Sequence, residues 1–162
     1  MRALALFRVI AVVCAGFLAG ILFGDRAGAT YARPRLDPSS FVQFQQVVHA
    51  HFVRFMPPLI VAAILGGLAW LVSIRARWRG AEFWLVAVST AAILFILVAT
   101  RAVNVPINEQ LMRWSVTDPP ANVRELWAPW ERVHTLRTIA AAWAFLLEAV
   151  ALARRAADGA HG

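Results

Sequence analysis

Residues 83–103, Phe-Trp-Leu-Val-Ala-Val-Ser-Thr-Ala-Ala-Ile-Leu-Phe-Ile-Leu-Val-Ala-Thr-Arg-Ala-Val, contain a single charge, Arg101. A helix rises about 1.5 Å per residue, so roughly 20 such residues cross a hydrocarbon core of about 30 Å. Three further runs meet the same test, at about 4–24 (interrupted by Arg8), 57–74 and 130–153. In lipid, only helices and closed barrels satisfy every backbone group, and these runs are too long and too uniformly apolar for barrel strands. The expected fold is therefore all-α: an integral membrane four-helix bundle, with residues 1–162 forming a single membrane domain.

Composition agrees. Of the 162 residues, 60% are apolar and 15% charged, against roughly 45–50% and about 25% in soluble domains. The mean hydropathy is +0.64. So few charges exclude a soluble fold, a disordered chain and a large multidomain enzyme. The net charge is +7, yet all 16 basic residues are arginines placed between and beside the apolar runs. That placement suits lipid headgroups and topology signals, so the expected partner is membrane lipid and no nucleic acid is implied. Cys14 is alone, so an internal disulfide or thiolate cluster is impossible.

The first run has two readings. Arg2 and Arg8, the apolar stretch after them and Ala27-Gly28-Ala29 resemble a cleaved signal peptide. Asp25 and Arg26 just before that point, and the length of the run, favour a retained helix. Gly16, Gly20 and Gly24 form a ridge on which another helix can approach closely. Arg75, Arg77 and Arg79 crowd the short connection between the second and third runs. By the positive-inside rule that connection and both termini face the cytoplasm, in a bacterial inner membrane. Residues 41–56 read as an additional amphipathic helical extension before the second spanning helix. Phe41, Phe44, Val48, Phe52 and Phe55 share one of its faces.

Three polar groups need a reason. Asn104 and Asn108 stack four residues apart around Pro106. They either satisfy carbonyls freed by the proline or point at a bound polar molecule. Trp127, Trp130, His134, Arg137 and Thr138 form one helical stripe, continued by Ala141 and Phe145. A histidine and an arginine inside an apolar segment face a cavity or partner, or else Arg137 snorkels to the surface and His134 bonds a neighbour such as Glu131. A neutral imidazole can serve as a general base and a guanidinium can stabilise a developing anion. Gln45 and His49 lie four apart, towards the apolar face of the extension. Glu148, deep in the fourth run, is expected to pair with Arg154 or Arg155, or with another helix. No phosphate-binding glycine loop, HExxH, Cys-x-x-Cys or GxSxG occurs.

At these residues the sequence resembles the anthrone oxygenase-like family of small four-helix membrane proteins. The match lies in Asn104-Val-Pro-Ile-Asn108-x2-Leu111, the Trp114 region, and Trp127-x2-Trp130-x3-His134-x2-Arg137-Thr138 after a proline-containing loop. The glycine-rich first helix and Met56-Pro57-Pro58 fit the family layout. The resemblance implies oxidation of an anthrone to an anthraquinone by O₂ with neither metal nor flavin. On that expectation His134, Arg137, Asn108, Asn104 and His49 are the catalytic set. Trp127, Trp130 and Gln45 would bind a hydrophobic aromatic small molecule. No cofactor is implied, and a homo-oligomer is compatible with the pattern. Two alternatives stay open. One is a haem- or quinone-binding redox protein with His49 and His134 as axial ligands. The other is a non-enzymatic membrane assembly protein.

Overall fold

The computed structural model describes residues 2–160, with side-chain surroundings for 4–154. Four long helices dominate: α1 (Arg2–Gly24), α2 (Pro38–Ile74), α3 (Ala81–Ala99) and α4 (Val123–Ala160). α1 runs on through a π-helical turn, Asp25–Ala29, and a tighter turn, Arg33–Arg35; α3 runs on through a second π turn, Thr100–Asn104, into a short helix, Val105–Leu111. With these extensions, Leu4–Arg35, Pro38–Arg77, Ala81–Leu111 and Val123–Arg154 are four segments long and apolar enough to cross a membrane. They close into a ring in which α1 and α3 each pack against both α2 and α4.

The prolines do not break the helices. The amphipathic extension is continuous with the second span, because α2 passes straight through Pro57 and Pro58. Each proline deprives the carbonyl four residues earlier of its donor. Here those carbonyls belong to Val53 and Arg54, which are exposed together with both prolines. Pro106 is accommodated because the π turn just before it resets the hydrogen bonding, leaving the proline at the start of the short helix. α4 likewise begins at Val123, well before Pro129, so Trp127 already stands on the helix. At the start of α2, Asp37 caps by accepting from the Ser40 amide at 3.1 Å, with Pro38 at the first helical position.

Three buried clusters fill the bundle. Ala11, Trp70, Ile74, Val86 and Ala151 hold one end. The middle includes Leu18, Leu22, Ile60, Ile93, Ile96, Ala141 and Ala144. Phe41, Val42, Leu111, Val123 and Trp127 hold the other end. Outside, Phe17, Leu65, Val98 and Trp143 are each at least 60% exposed. An apolar exterior over a packed interior is what a bilayer solvent allows.

The close helix approach occurs away from the expected glycine ridge. A Cβ at Gly20 or Gly24 would meet nothing within 4 Å, and at Gly16 only the Phe145 ring at 3.1 Å. The tight contacts belong to α2. A Cβ at Gly66 would lie 3.0 Å from the Ala11 backbone nitrogen, and one at Gly67 would lie 2.5 Å from Thr90 Oγ1. Thr90 is buried and its hydroxyl donates to the Val86 carbonyl at 2.8 Å, so it cannot swing aside freely. Gly67→Ala is therefore expected to destabilise the bundle by about 1–3 kcal/mol. Gly20→Ala should be neutral or stabilising by up to ~1 kcal/mol through helix propensity. Unfolding titrations in mixed micelles distinguish the two, and equal effects would refute this assignment of the contact.

Two further polar groups are held inside the bundle. Arg8 pairs with Glu82 across the bundle, its guanidinium 5.6 Å from the Trp70 ring centre. Trp70 donates to the same carboxylate at 3.0 Å. Glu148 is fully buried and accepts from Ser89 Oγ at 2.8 Å. Arg154 is exposed and forms no pair with it, while the Arg155 side chain lies outside the described residues.

Candidate functional site

The polar end of the bundle is organised by Arg33, which is 2% exposed. Its Nε donates to Gln45 Oε1 at 3.0 Å. Its Nη1 donates to Thr30 Oγ1 at 3.1 Å and to Glu131 Oε1 at 2.8 Å. Its Nη2 pairs with Asp25 Oδ1 at 2.5 Å. One planar guanidinium thus ties the extension of α1 to α2 and α4, a task that suits its fixed fork of donors. Glu131 is shared further, accepting from Trp127 Nε1 at 3.1 Å and from Thr30 Oγ1 at 3.2 Å.

The π turn explains why Asp25 reaches this cluster. A wider turn at the end of α1 shifts the following residues around the helix axis, so that Asp25 and Arg33 face the same interior. The other carboxylate oxygen of Asp25, Oδ2, lies 3.1 Å from His134 Nε2. It sits off the line a directed hydrogen bond needs, so the contact is an electrostatic one between the carboxylate and the ring edge. The histidine partner is therefore Asp25, and the expected Glu131 belongs to Arg33.

His134 also closes an aromatic ladder. Trp127 and Trp130 stack with centres 4.5 Å apart and planes at 21°, and Trp130 and His134 stack at 4.8 Å and 22°. Phe41 meets Trp127 edge-on at 5.8 Å. The Arg33 guanidinium carbon lies 5.2 Å from the Trp130 ring centre. Spacings of three and four residues on one helix place these rings one above another. In this conformation both indoles stack on neighbouring rings of the chain. Trp130 also holds a buried Nε1 with no acceptor.

The remaining predicted residues divide. Asn104, 1% exposed, joins the site by donating from Nδ2 to the Trp130 carbonyl at 3.3 Å. Arg137, 5% exposed, forms no ion pair among the described residues, and its Nε lacks an acceptor. Thr138 donates to the carbonyls of His134 and Leu22, at 2.9 and 3.4 Å, binding α4 to α1. Gln45 is engaged with Arg33. Asn108 and His49 are half-buried and make no side-chain hydrogen bond among the described residues. Sequence reading missed Asp25, Thr30 and Arg33 as site members. The only signal for them was an acid and an arginine at the end of an apolar run.

Unsatisfied groups gather in this cluster. Asn104 Oδ1, Trp130 Nε1, both ring nitrogens of His134, Asp25 Oδ2 and Arg137 Nε are buried without a hydrogen bond, as Arg8 Nε and Glu148 Oε2 are elsewhere in the bundle. Buried polar atoms are nearly always paired, and each one left unpaired costs about 1–3 kcal/mol. Among the described residues no group of three or more histidine, cysteine or acidic side chains could hold a metal ion. A shallow apolar groove of about 350 Å³ runs along the α1–α4 seam below the site, lined by Gly16, Ala19, Gly20, Phe23, Ala142, Phe145 and Leu146.

Fold and site together define a small polytopic membrane protein with a buried, donor-rich polar centre near one end of its bundle. Residues 44–147, more than half of the chain, match the family described as anthrone oxygenase, and the chain belongs to that family. No curated protein and no solved structure matches it.

Proposed function

We propose that this chain is a membrane-embedded oxygenase that oxidises an anthrone-like aromatic substrate with O₂, using its own side chains and no resident cofactor. The observation that carries the reading is the set of buried, unpartnered groups around His134 and Arg137, within a chain of this family. An anthrone carries an acidic methylene between aromatic rings and opposite a ketone. His134 removes a methylene proton, and the C–H electron pair passes into the ring system as an enolate. Arg137 and the Trp130 N–H stabilise the oxygen on which charge develops. The electron-rich carbon transfers electrons to O₂ and forms a C–O bond, giving a hydroperoxide once the proton is returned. Loss of water then leaves the new carbonyl, so one oxygen atom ends in the quinone and the other in water.

An apolar planar substrate partitions into the bilayer and would approach along the α1–α4 groove. The arginine density at 75–79 supports a cytoplasmic position for both termini in a bacterial inner membrane, with the polar centre towards the opposite face. The test is direct. Protein purified in detergent is given anthrone under ¹⁸O₂, and product formation is compared with uncatalysed autoxidation. We expect turnover well above background, with one labelled atom entering the new carbonyl. A rate indistinguishable from protein-free buffer would defeat the proposal.

A further inference from the structure

We infer that Asp25 and Asn104 are positioning residues that fix the protonation pattern of the His134 ring, with the hydrogen on Nε2 and the bare lone pair on Nδ1. This rests on the proposed function only for its catalytic consequence. Asp25 lies against the ring itself, Asn104 acts through the Trp130 carbonyl from a different element, and Asp25 lies outside the stretch 44–147 that carries the family match.

The first line of support is at Nε2. A carboxylate oxygen is only an acceptor, and Asp25 Oδ2 lies 3.1 Å from that nitrogen. A hydrogen there is attracted to the carboxylate, whereas a lone pair would be repelled by it. Asp25 cannot turn away, because its other oxygen is held by Arg33 Nη2 at 2.5 Å.

The second line is at Nδ1. On a helix this nitrogen can reach the carbonyl four residues earlier, as exposed His51 does, with Nδ1 2.9 Å from the Val47 carbonyl oxygen. The corresponding carbonyl for His134 is that of Trp130, which already accepts from Asn104 Nδ2 at 3.3 Å. Its two lone pairs are then taken by the amide side chain and the helix backbone. Both ring nitrogens are buried without a directed hydrogen bond, but only Nε2 has an acceptor oxygen close by, so a hydrogen on Nδ1 would find none. The stacked Trp130 ring at 4.8 Å holds the imidazole plane.

In the proposed reaction the substrate C–H proton therefore moves to Nδ1, its electron pair staying on the substrate. The resulting imidazolium faces Asp25 through Nε2–H. The same proton returns from Nδ1 to the reduced oxygen, restoring the neutral ring. Asp25 changes protonation at no step.

The decisive measurement is the ¹⁵N spectrum of [¹⁵N]histidine-labelled protein in lipid nanodiscs, with the His134 signals assigned by their absence in His134→Gln. We expect a pyrrole-like Nε2 and a pyridine-like Nδ1 at neutral pH; a proton resident on Nδ1 overturns the inference. Asp25→Asn and Asn104→Ala should each raise the Nδ1–H population by about tenfold or more, and an unchanged ratio in both equally overturns it. If Asp25→Asn fails to fold, the native spectrum and Asn104→Ala still decide. In turnover, Asp25→Asn should lower kcat roughly 10²-fold with KM unchanged, and Asp25→Glu should restore part of it. The expected tautomer without any oxidation would sink the proposed function and leave the positioning roles standing.

Discussion

Arg33→Ala is expected to cost about 3–5 kcal/mol, the usual penalty for removing one partner of a buried ion pair. The side chain is 3% exposed and is the cation for both Asp25 and Glu131. Without it, two largely buried carboxylates lose their shared cation beside an aromatic ladder. The connection to Gln45 on α2 goes as well, so α1, α2 and α4 lose their common tie at this end. Arg33→Lys should recover little, since a single ammonium cannot span the four acceptors that the guanidinium reaches. The triple change Arg33→Met, Asp25→Asn, Glu131→Gln should recover most of the loss, because it removes the stranded charges along with their partner. Unfolding in mixed micelles, together with hydrogen exchange across residues 25–45, measures all three variants. A cost below 1 kcal/mol for Arg33→Ala would mean that water already reaches the cluster.

The other large effect is kinetic. His134→Gln keeps a polar group of similar length but removes the basic nitrogen, and turnover should fall roughly 10²–10⁴-fold, the range for loss of a general base. Arg137→Met should lower kcat by about 10²–10³-fold, the loss typical of removing one group that stabilises an oxyanion. Arg137 forms no ion pair within the described residues, so its removal strands no carboxylate partner. That makes it the cleaner of the two tests. Folding of both variants is checked by circular dichroism and size-exclusion behaviour. Full activity in both would remove His134 and Arg137 from the reaction.

The spans were legible because lipid imposes one strong rule, and runs such as 83–103 obey it along their whole length. The His134–Arg137 stripe was legible for a related reason: charge inside an apolar helix requires an explanation. Asp25 and Arg33 escaped notice because they sit in a proline-bearing stretch next to a span, where arginines ordinarily mark headgroups. Their importance comes from partners about a hundred residues away on α4, and no local pattern encodes that pairing. The glycines misled in the opposite way. A repeat of three along α1 suggested a contact, yet the adjacent pair Gly66-Gly67 makes it, because Ala11 and Thr90 happen to lie opposite. At Pro106 the π-helical turn just before it lets the chain stay helical, and at Pro57 and Pro58 the residues four positions earlier are exposed.

Within the cluster around Arg33 the formal charges of four side chains cancel, Asp25 and Glu131 balancing Arg33 and Arg137. Those four groups together have almost no monopole for mobile ions to screen, and Asp25, Arg33 and Arg137 are largely buried from the electrolyte. Added salt should leave the stability of this cluster nearly untouched, in contrast to exposed arginine-rich turns. A proton passing from a neutral guest to the ring would merely create an internal dipole, so no net charge need cross the hydrocarbon and membrane voltage has little on which to act.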